Sequence, residues 1–200
     1  MVPVLNACAQ DTVQSFCDVA AKGVPYDVKQ DQILAQAVLF FLAGVDTSAN
    51  TLAMSAYHLA LNQDVQARLE EEIDQALRTH KEITLDVVMG LPYLDAFVME
   101  VLRISGPVTM FLGDNRKLIQ PFTYLPFGEG PRQCVGMKFA LFKVKFCLFH
   151  VLSKISFQVC SETDIPLTHQ PVILVMIPET VTLKVTRRKP AAANCALLSE

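Results

Sequence analysis

No Cys-x-x-Cys pair occurs in the chain, and its six cysteines, at 8, 17, 134, 147, 160 and 195, follow no regular spacing. A zinc ribbon and a disulfide framework are therefore both excluded, and the cysteines read as reduced thiols facing the cytosol. No basic block is present either: 17 Lys plus Arg stand against 20 Asp plus Glu, for a net charge of −3. Without a cationic stripe to track phosphates, nucleic acid is not an expected partner. The N-terminus has no signal-peptide apolar region, since Met1-Val2-Pro3-Val4-Leu5 gives way at once to Asn6 and soon to Gln10-Asp11. The longest nearly uncharged run, residues 33–45, falls short of the roughly 20 residues a membrane-spanning helix needs, and is expected to be a buried core helix. The four histidines form no ligand cluster, and there is no internal repeat.

What is present is globular material. The 200 residues are 52% apolar, with a mean hydropathy of +0.33, enough for one packed core or part of a larger one. Apolar residues near helical spacing predict an early amphipathic helix over 4–21, stopped by Lys22-Gly23. A long apolar helix is expected over 32–62, then a structural one capped by Asn62, with Val65, Leu69, Ile73 and Leu77 inward and Arg68, Glu70 and Glu71 in water. Thr84 caps a short helix ending near Gly90, and a further helix carries Leu94, Phe97, Val98, Val101 and Leu102 on its apolar face. Residues 105–131 read as mostly loop. The last helix, 136–152, is expected to bury Phe139, Leu141, Phe142, Val144, Phe146, Leu148 and Val151. Short strands follow at 155–159, 172–176 and 181–185, and the residues after Lys189 read as a disordered tail. The fold class is mainly α with a small β portion.

The sharpest chemical signal is Phe127-Gly128-Glu129-Gly130-Pro131-Arg132-Gln133-Cys134-Val135-Gly136, which fits F-x-x-G-x-R-x-C-x-G and precedes an apolar helix. A cysteine alone is usually a small hydrophobe. Its neighbours alter that reading. A thiolate on a haem iron needs low solvent access and room for a flat macrocycle; Gly128 and Gly130 permit a tight turn, Phe127 can shield the sulfur, and Gly136 lets the next helix come close. Arg132 is placed to meet a haem propionate.

This loop, preceded by Pro121-Phe122-Thr123-Tyr124-Leu125-Pro126, resembles the haem-thiolate signature of the cytochrome P-450 superfamily, in particular the microsomal clan of drug-metabolising and thromboxane-synthase-like enzymes. The resemblance implies a partial P-450 fold and haem b held by one axial cysteine, Cys134. A second match, Ala43-Gly44-Val45-Asp46-Thr47-Ser48, is similar to that family's A/G-G-x-D/E-T-T/S segment. There Ala43 and Gly44 would leave room for dioxygen, and Asp46 and Thr47 would deliver protons. By itself such a mid-helix segment is a packing glycine beside a solvated acid. Third, Glu100-Val101-Leu102-Arg103 matches the family's E-x-x-R, which on its own is an ordinary i,i+3 ion pair. Lys138, Lys143 and Lys145 lie on the side where the family docks its reductase, or else form a solvated helix face.

Only 31 positions separate Arg103 from Cys134, fewer than the family uses there, and Phe111-Leu112-Gly113-Asp114-Asn115-Arg116 resembles the end of its meander. Helices between an early remnant (1–30) and the oxygen-binding helix are also expected to be absent, as is the membrane anchor. The chain then reads as one partial domain over 1–189, with 31–104 running from the oxygen-binding helix to the E-x-x-R helix, 105–189 holding the haem loop and C-terminal part, and a tail at 190–200. Such losses suggest a splice variant or an incomplete gene model. Three functions are compatible with the motifs. The first is a monooxygenase inserting one oxygen atom into an apolar organic substrate, with NADPH electrons relayed by a reductase at the cytosolic face of the endoplasmic reticulum, or in the cytosol if unanchored. The second is a non-catalytic fragment with weak or no haem binding. The third is a thromboxane-synthase-like isomerase, against which Thr47 argues.

Overall fold

A computed structural model describes residues 28–107, 125–169 and 177–188. Among the described residues, five α-helices run in order: α1 (Val28–Leu61), α2 (Gln63–Thr79), α3 (Leu85–Met89), α4 (Pro92–Ser105) and α5 (Met137–Leu152). A 3-10 turn, Gly130–Arg132, precedes α5, and two strands, β1 (Ile155–Gln158) and β2 (Lys184–Arg187), pair antiparallel with Ile155 opposite Arg187 and Gln158 opposite Lys184. The described part is thus mainly α with a small β portion. The expected early helix, the strand at 172–176, the meander remnant and the tail lie outside the described residues.

The chain divides into two compact units, residues 1–42 and 43–200, with the boundary inside α1. In the first unit, Val38, Leu39, Phe40, Phe41 and Leu42 are all exposed, Phe40 by 60%. Consecutive exposed residues occupy every face of a helix, since each advances about 100° around the axis. The expectation of a buried core helix over 33–45 is therefore overturned. Ile33–Leu61 is moreover 29 residues long with a mean hydropathy of 1.4, so by length and composition it could cross a bilayer, contrary to the estimate from the uncharged run alone. The shorter estimate missed that the uncharged polar residues after Asp46 do not interrupt the helix.

In the second unit the core is built where helical spacing predicts it. Met54, Tyr57, Leu59 and Ala60 from α1 meet Leu69, Ile73 and Ala76 from α2, the full apolar face of α4, and Val144, Leu148, Phe149 and Leu152 from α5. On α5 the buried stripe differs from the expected one: Phe139 is largely exposed, and Phe149 and Leu152 take the inward positions. A helix that is apolar on most faces does not encode in its own sequence which face turns inward; α5 is such a helix.

Polar side chains then lock the elements together. Gln66, buried on α2, donates from Nε2 to the Phe157 carbonyl at 3.0 Å and accepts from the Phe157 N–H at 2.8 Å, so its amide pairs with β1 as a strand would. Arg188 pairs with Glu70 at 3.1 Å and Asp74 at 2.9 Å and also donates to the Leu152 carbonyl, so Glu70 does not face water as expected. Glu72 accepts from the Tyr93 and Leu94 N–H groups at 2.8 and 2.9 Å, satisfying two donors that every helix N-terminus leaves open. Thr84 does cap α3, accepting from Val87 N–H. Asn62 does not cap α2: its amide donates back to the His58 carbonyl instead.

Candidate haem-thiolate site

The cysteine loop closes on itself. The Cys134 N–H donates to the Phe127 carbonyl at 2.8 Å and the Gln133 N–H to the Gly130 carbonyl at 3.0 Å. To close the turn over residues 127–134 the backbone passes twice through the left-handed region, at Gly128 (φ +74°) and Gly130 (φ +77°). A side chain at either position would be strained, which is why this loop carries glycine there. Phe127 packs against the core and so anchors the loop, while Cys134, Arg132 and Gly130 face outward. Cys134 is exposed, and Phe127, expected to shield the sulfur, packs against the core. A Cβ on Gly136 would lie 3.9 Å from Cys134 Sγ, so the start of α5 stands in van der Waals reach of the sulfur.

On α1, hydroxyl groups fold back onto the helix. Thr47 Oγ1 donates to the Ala43 carbonyl at 2.6 Å, Ser48 Oγ to Gly44 at 2.9 Å, Thr51 Oγ1 to Thr47 at 2.8 Å and Ser55 Oγ to Thr51 at 2.7 Å. Such back-bonding bends helices and competes with their own ladder. Ala43, Gly44 and Asp46 are exposed and Thr47 is half-buried, and among the described residues nothing outside the helix backbone stands within 4 Å of where a Gly44 Cβ would be. One turn further, Asn50 is 6% exposed and its Oδ1 has no hydrogen-bond partner among the described residues. The sequence reading passed over Asn50; its position three residues after Thr47, on the same side of the helix, was the available signal.

Glu100 and Arg103 meet in a bidentate pair, Nε to Oε2 at 2.7 Å and Nη2 to Oε1 at 2.6 Å. The bonded guanidinium holds the Glu100 carboxyl below its ordinary range. Across from it, His58 Nε2 lies 2.8 Å from Ser105 Oγ, and burial pushes its imidazole below the ordinary value while the Glu100 charge works the other way. Of the three lysines considered for a docking face, Lys145 is 2% exposed and paired with Asp95, so it cannot serve. Lys143 Nζ donates to the Gly44 carbonyl at 2.9 Å, bringing the helix after Cys134 to the turn that holds Asp46 and Thr47. Lys138 remains outward.

The donor set suits one kind of metal group. Among the described residues no three His, Cys, Asp or Glu side chains gather, so no cage for a bare ion is formed there. A single outward cysteine, with an exposed guanidinium two residues away, fits a metal already chelated by a macrocycle that needs one protein ligand and a partner for its acidic edge.

Comparison with known proteins points the same way. The family model for cytochrome P450 matches residues 6–113 and 109–185. The chain is 34% identical to cytochrome P450 3A9 of Rattus norvegicus over 234 residues, covering 94% of this chain and 44% of that protein. With cytochrome P450 3A16 of Mus musculus the identity is 33% over 204 residues, 78% of this chain and 40% of the relative, and with cytochrome P450 3A27 of Oncorhynchus mykiss 31% over 209 residues, 82% and 40%. The chain thus spans about two fifths of the length of these curated relatives. With a family model covering most of its residues and relatives at this identity, the chain belongs to the cytochrome P450 family.

Proposed function

We propose that the chain carries the thiolate side and the oxygen side of a haem monooxygenase, with Cys134 as the axial ligand. The observation that supports this most is the loop of residues 127–136: two left-handed glycines and a closed turn present one exposed cysteine outward at the start of α5. Haem bound there would supply dioxygen activation, with electron donation from the thiolate favouring O–O cleavage.

The chain's own residues would do the rest. Cys134 Sγ would hold the iron, and the exposed Arg132 guanidinium would pair with a propionate. Gly44, whose missing Cβ has no neighbour within 4 Å among the described residues, would leave room for dioxygen. The exposed Asp46 carboxylate takes up protons from solvent. Thr47 Oγ1, which donates to the Ala43 carbonyl, would relay a proton by turning its own O–H toward the acceptor while a lone pair takes up the next. Glu100 and Arg103 brace α4 as a bidentate pair. The electrons come from NADPH through a reductase, the substrate is an apolar small molecule, and the setting is the endoplasmic reticulum membrane.

The test is to express these 200 residues with haem supplied and record the reduced, carbon-monoxide difference spectrum. A Soret band at the wavelength for which the family is named is expected, and Cys134→Ala should abolish it. A band that survives this substitution would refute Cys134 as ligand. The exposed apolar residues of α1 favour a second reading, a non-catalytic chain whose site lacks an enclosing shell. The absence of any band in the parent chain would select it. An isomerase that needs no proton delivery predicts that Thr47→Ala in a longer parent leaves turnover unchanged.

A further inference from the structure

The turn of α1 that carries Asp46 and Thr47 is packed only at its C-terminal end, where Ser48 is buried. Ala43, Gly44, Val45 and Asp46 are exposed, and among the described residues nothing outside the helix backbone lies within 4 Å of a Gly44 Cβ position. Glycine inside a helix adds backbone freedom, and the hydroxyls of Thr47 and Ser48 pull on the carbonyls of Ala43 and Gly44 at 2.6 and 2.9 Å. A turn with these properties needs an outside tether to keep one position.

Lys143 supplies it. From 99 positions away in sequence, its Nζ donates to the Gly44 carbonyl at 2.9 Å, so that oxygen accepts both Ser48 Oγ and an ammonium. The stem of Lys143 leaves α5 in the second turn after Cys134, and its charge lies 5.8 Å from the centre of the Phe139 ring, close enough for cation–π attraction to steady the head group. A charge-assisted bond is the stronger kind of hydrogen bond, and here it links the helix that starts at the cysteine loop to the segment proposed for proton delivery.

We propose that Lys143 is a positioning residue: through the Gly44 carbonyl, its ammonium fixes the turn at 43–48 relative to the helix that follows Cys134. What that turn is positioned for rests on the haem-thiolate reading above; the tether itself does not. A lysine merely solvated on the face of α5 would leave the turn equally ordered without it.

Amide hydrogen exchange on the full 200-residue chain without haem separates these cases. Lys143→Met keeps the apolar stem and removes the donor, and Lys143→Arg keeps a cationic donor. Exchange at 44–51 should accelerate roughly fivefold in the Met variant, while peptides from 94–102, in the core face of α4, stay within about twofold of the parent. The Arg variant should restore protection at 44–51. The proposal is overturned if the Met variant exchanges like the parent at 44–51, if all segments accelerate together, if Arg fails to rescue, or if the parent shows no protection at 44–51. Because no haem is present, failure here leaves the haem reading to be decided by the difference spectrum, and failure of that spectrum leaves this result standing.

Discussion

Cys134 and Cys147 differ in what surrounds them more than in sequence. The first sits outward on a loop; the second is half-buried on α5, where burial pushes its thiol up. Since the thiolate is the reactive form, alkylation at neutral pH followed by peptide mass spectrometry should modify Cys134 well before Cys147. Equal rates would mean the loop is folded inward. A second residue-level prediction concerns acid. Burial lowers His58 and His150 below the ordinary 6.5, with Lys154 adding to the effect at His150. The unfolded chain therefore binds more protons than the folded one in the window just under 6.5, and stability should fall as pH drops through that window. The Glu100 carboxyl acts lower, because its depressed value keeps its contribution until pH falls below the ordinary 4.5, and its exposure keeps that contribution small. Urea midpoints measured from roughly pH 8 to pH 5.5 should slope downward, and the double variant His58→Asn, His150→Asn should flatten the slope.

Among elements, the Asp95–Lys145 pair joins α4 to α5 asymmetrically. The Lys145 side chain is 3% exposed and that of Asp95 52%. Losing Asp95 strands a buried ammonium, whereas losing Lys145 leaves a carboxylate that water can reach. Asp95→Ala should cost about 3 kcal/mol or more, and Lys145→Met markedly less, as read by chemical denaturation. Equal costs would place the ammonium in solvent. The Glu72 carboxylate at the start of α4 is worth a smaller amount: Glu72→Ala should lower stability by about 1–2 kcal/mol, with Glu72→Gln retaining part of it. Leu69→Ala, emptying a fully buried position on α2, should cost about 2–5 kcal/mol.

At the scale of the molecule, the exposed residues Leu39, Phe40, Phe41 and Leu42 make the chain unusual for its composition. Apolar surface on every side of a helix binds hydrophobic dyes and promotes association. The double variant Phe40→Lys, Leu42→Lys should lower dye fluorescence and shift the chain toward monomer in sedimentation, with little change in unfolding, because neither residue joins the core of the second unit. A chain already monomeric and dye-silent would show that this segment is covered.

The sequence by itself determined the motif chemistry and the regular helices. Local rules suffice for these: the 3.6-residue stripe of α4 names all five of its buried residues, and the glycines at 128 and 130 stand where the loop demands positive φ. Tertiary structure decided what depends on neighbours distant in sequence. Helix α5 is apolar nearly all round, so only packing against α3, α4 and α2 selected Phe149 over Phe139. The run at 33–45 reads as core by composition, yet burial requires other chain to cover it. Lys143 and Lys145, two residues apart, look alike in sequence; one reaches the Gly44 carbonyl and the other is buried against Asp95, because helical geometry sends them to different neighbours.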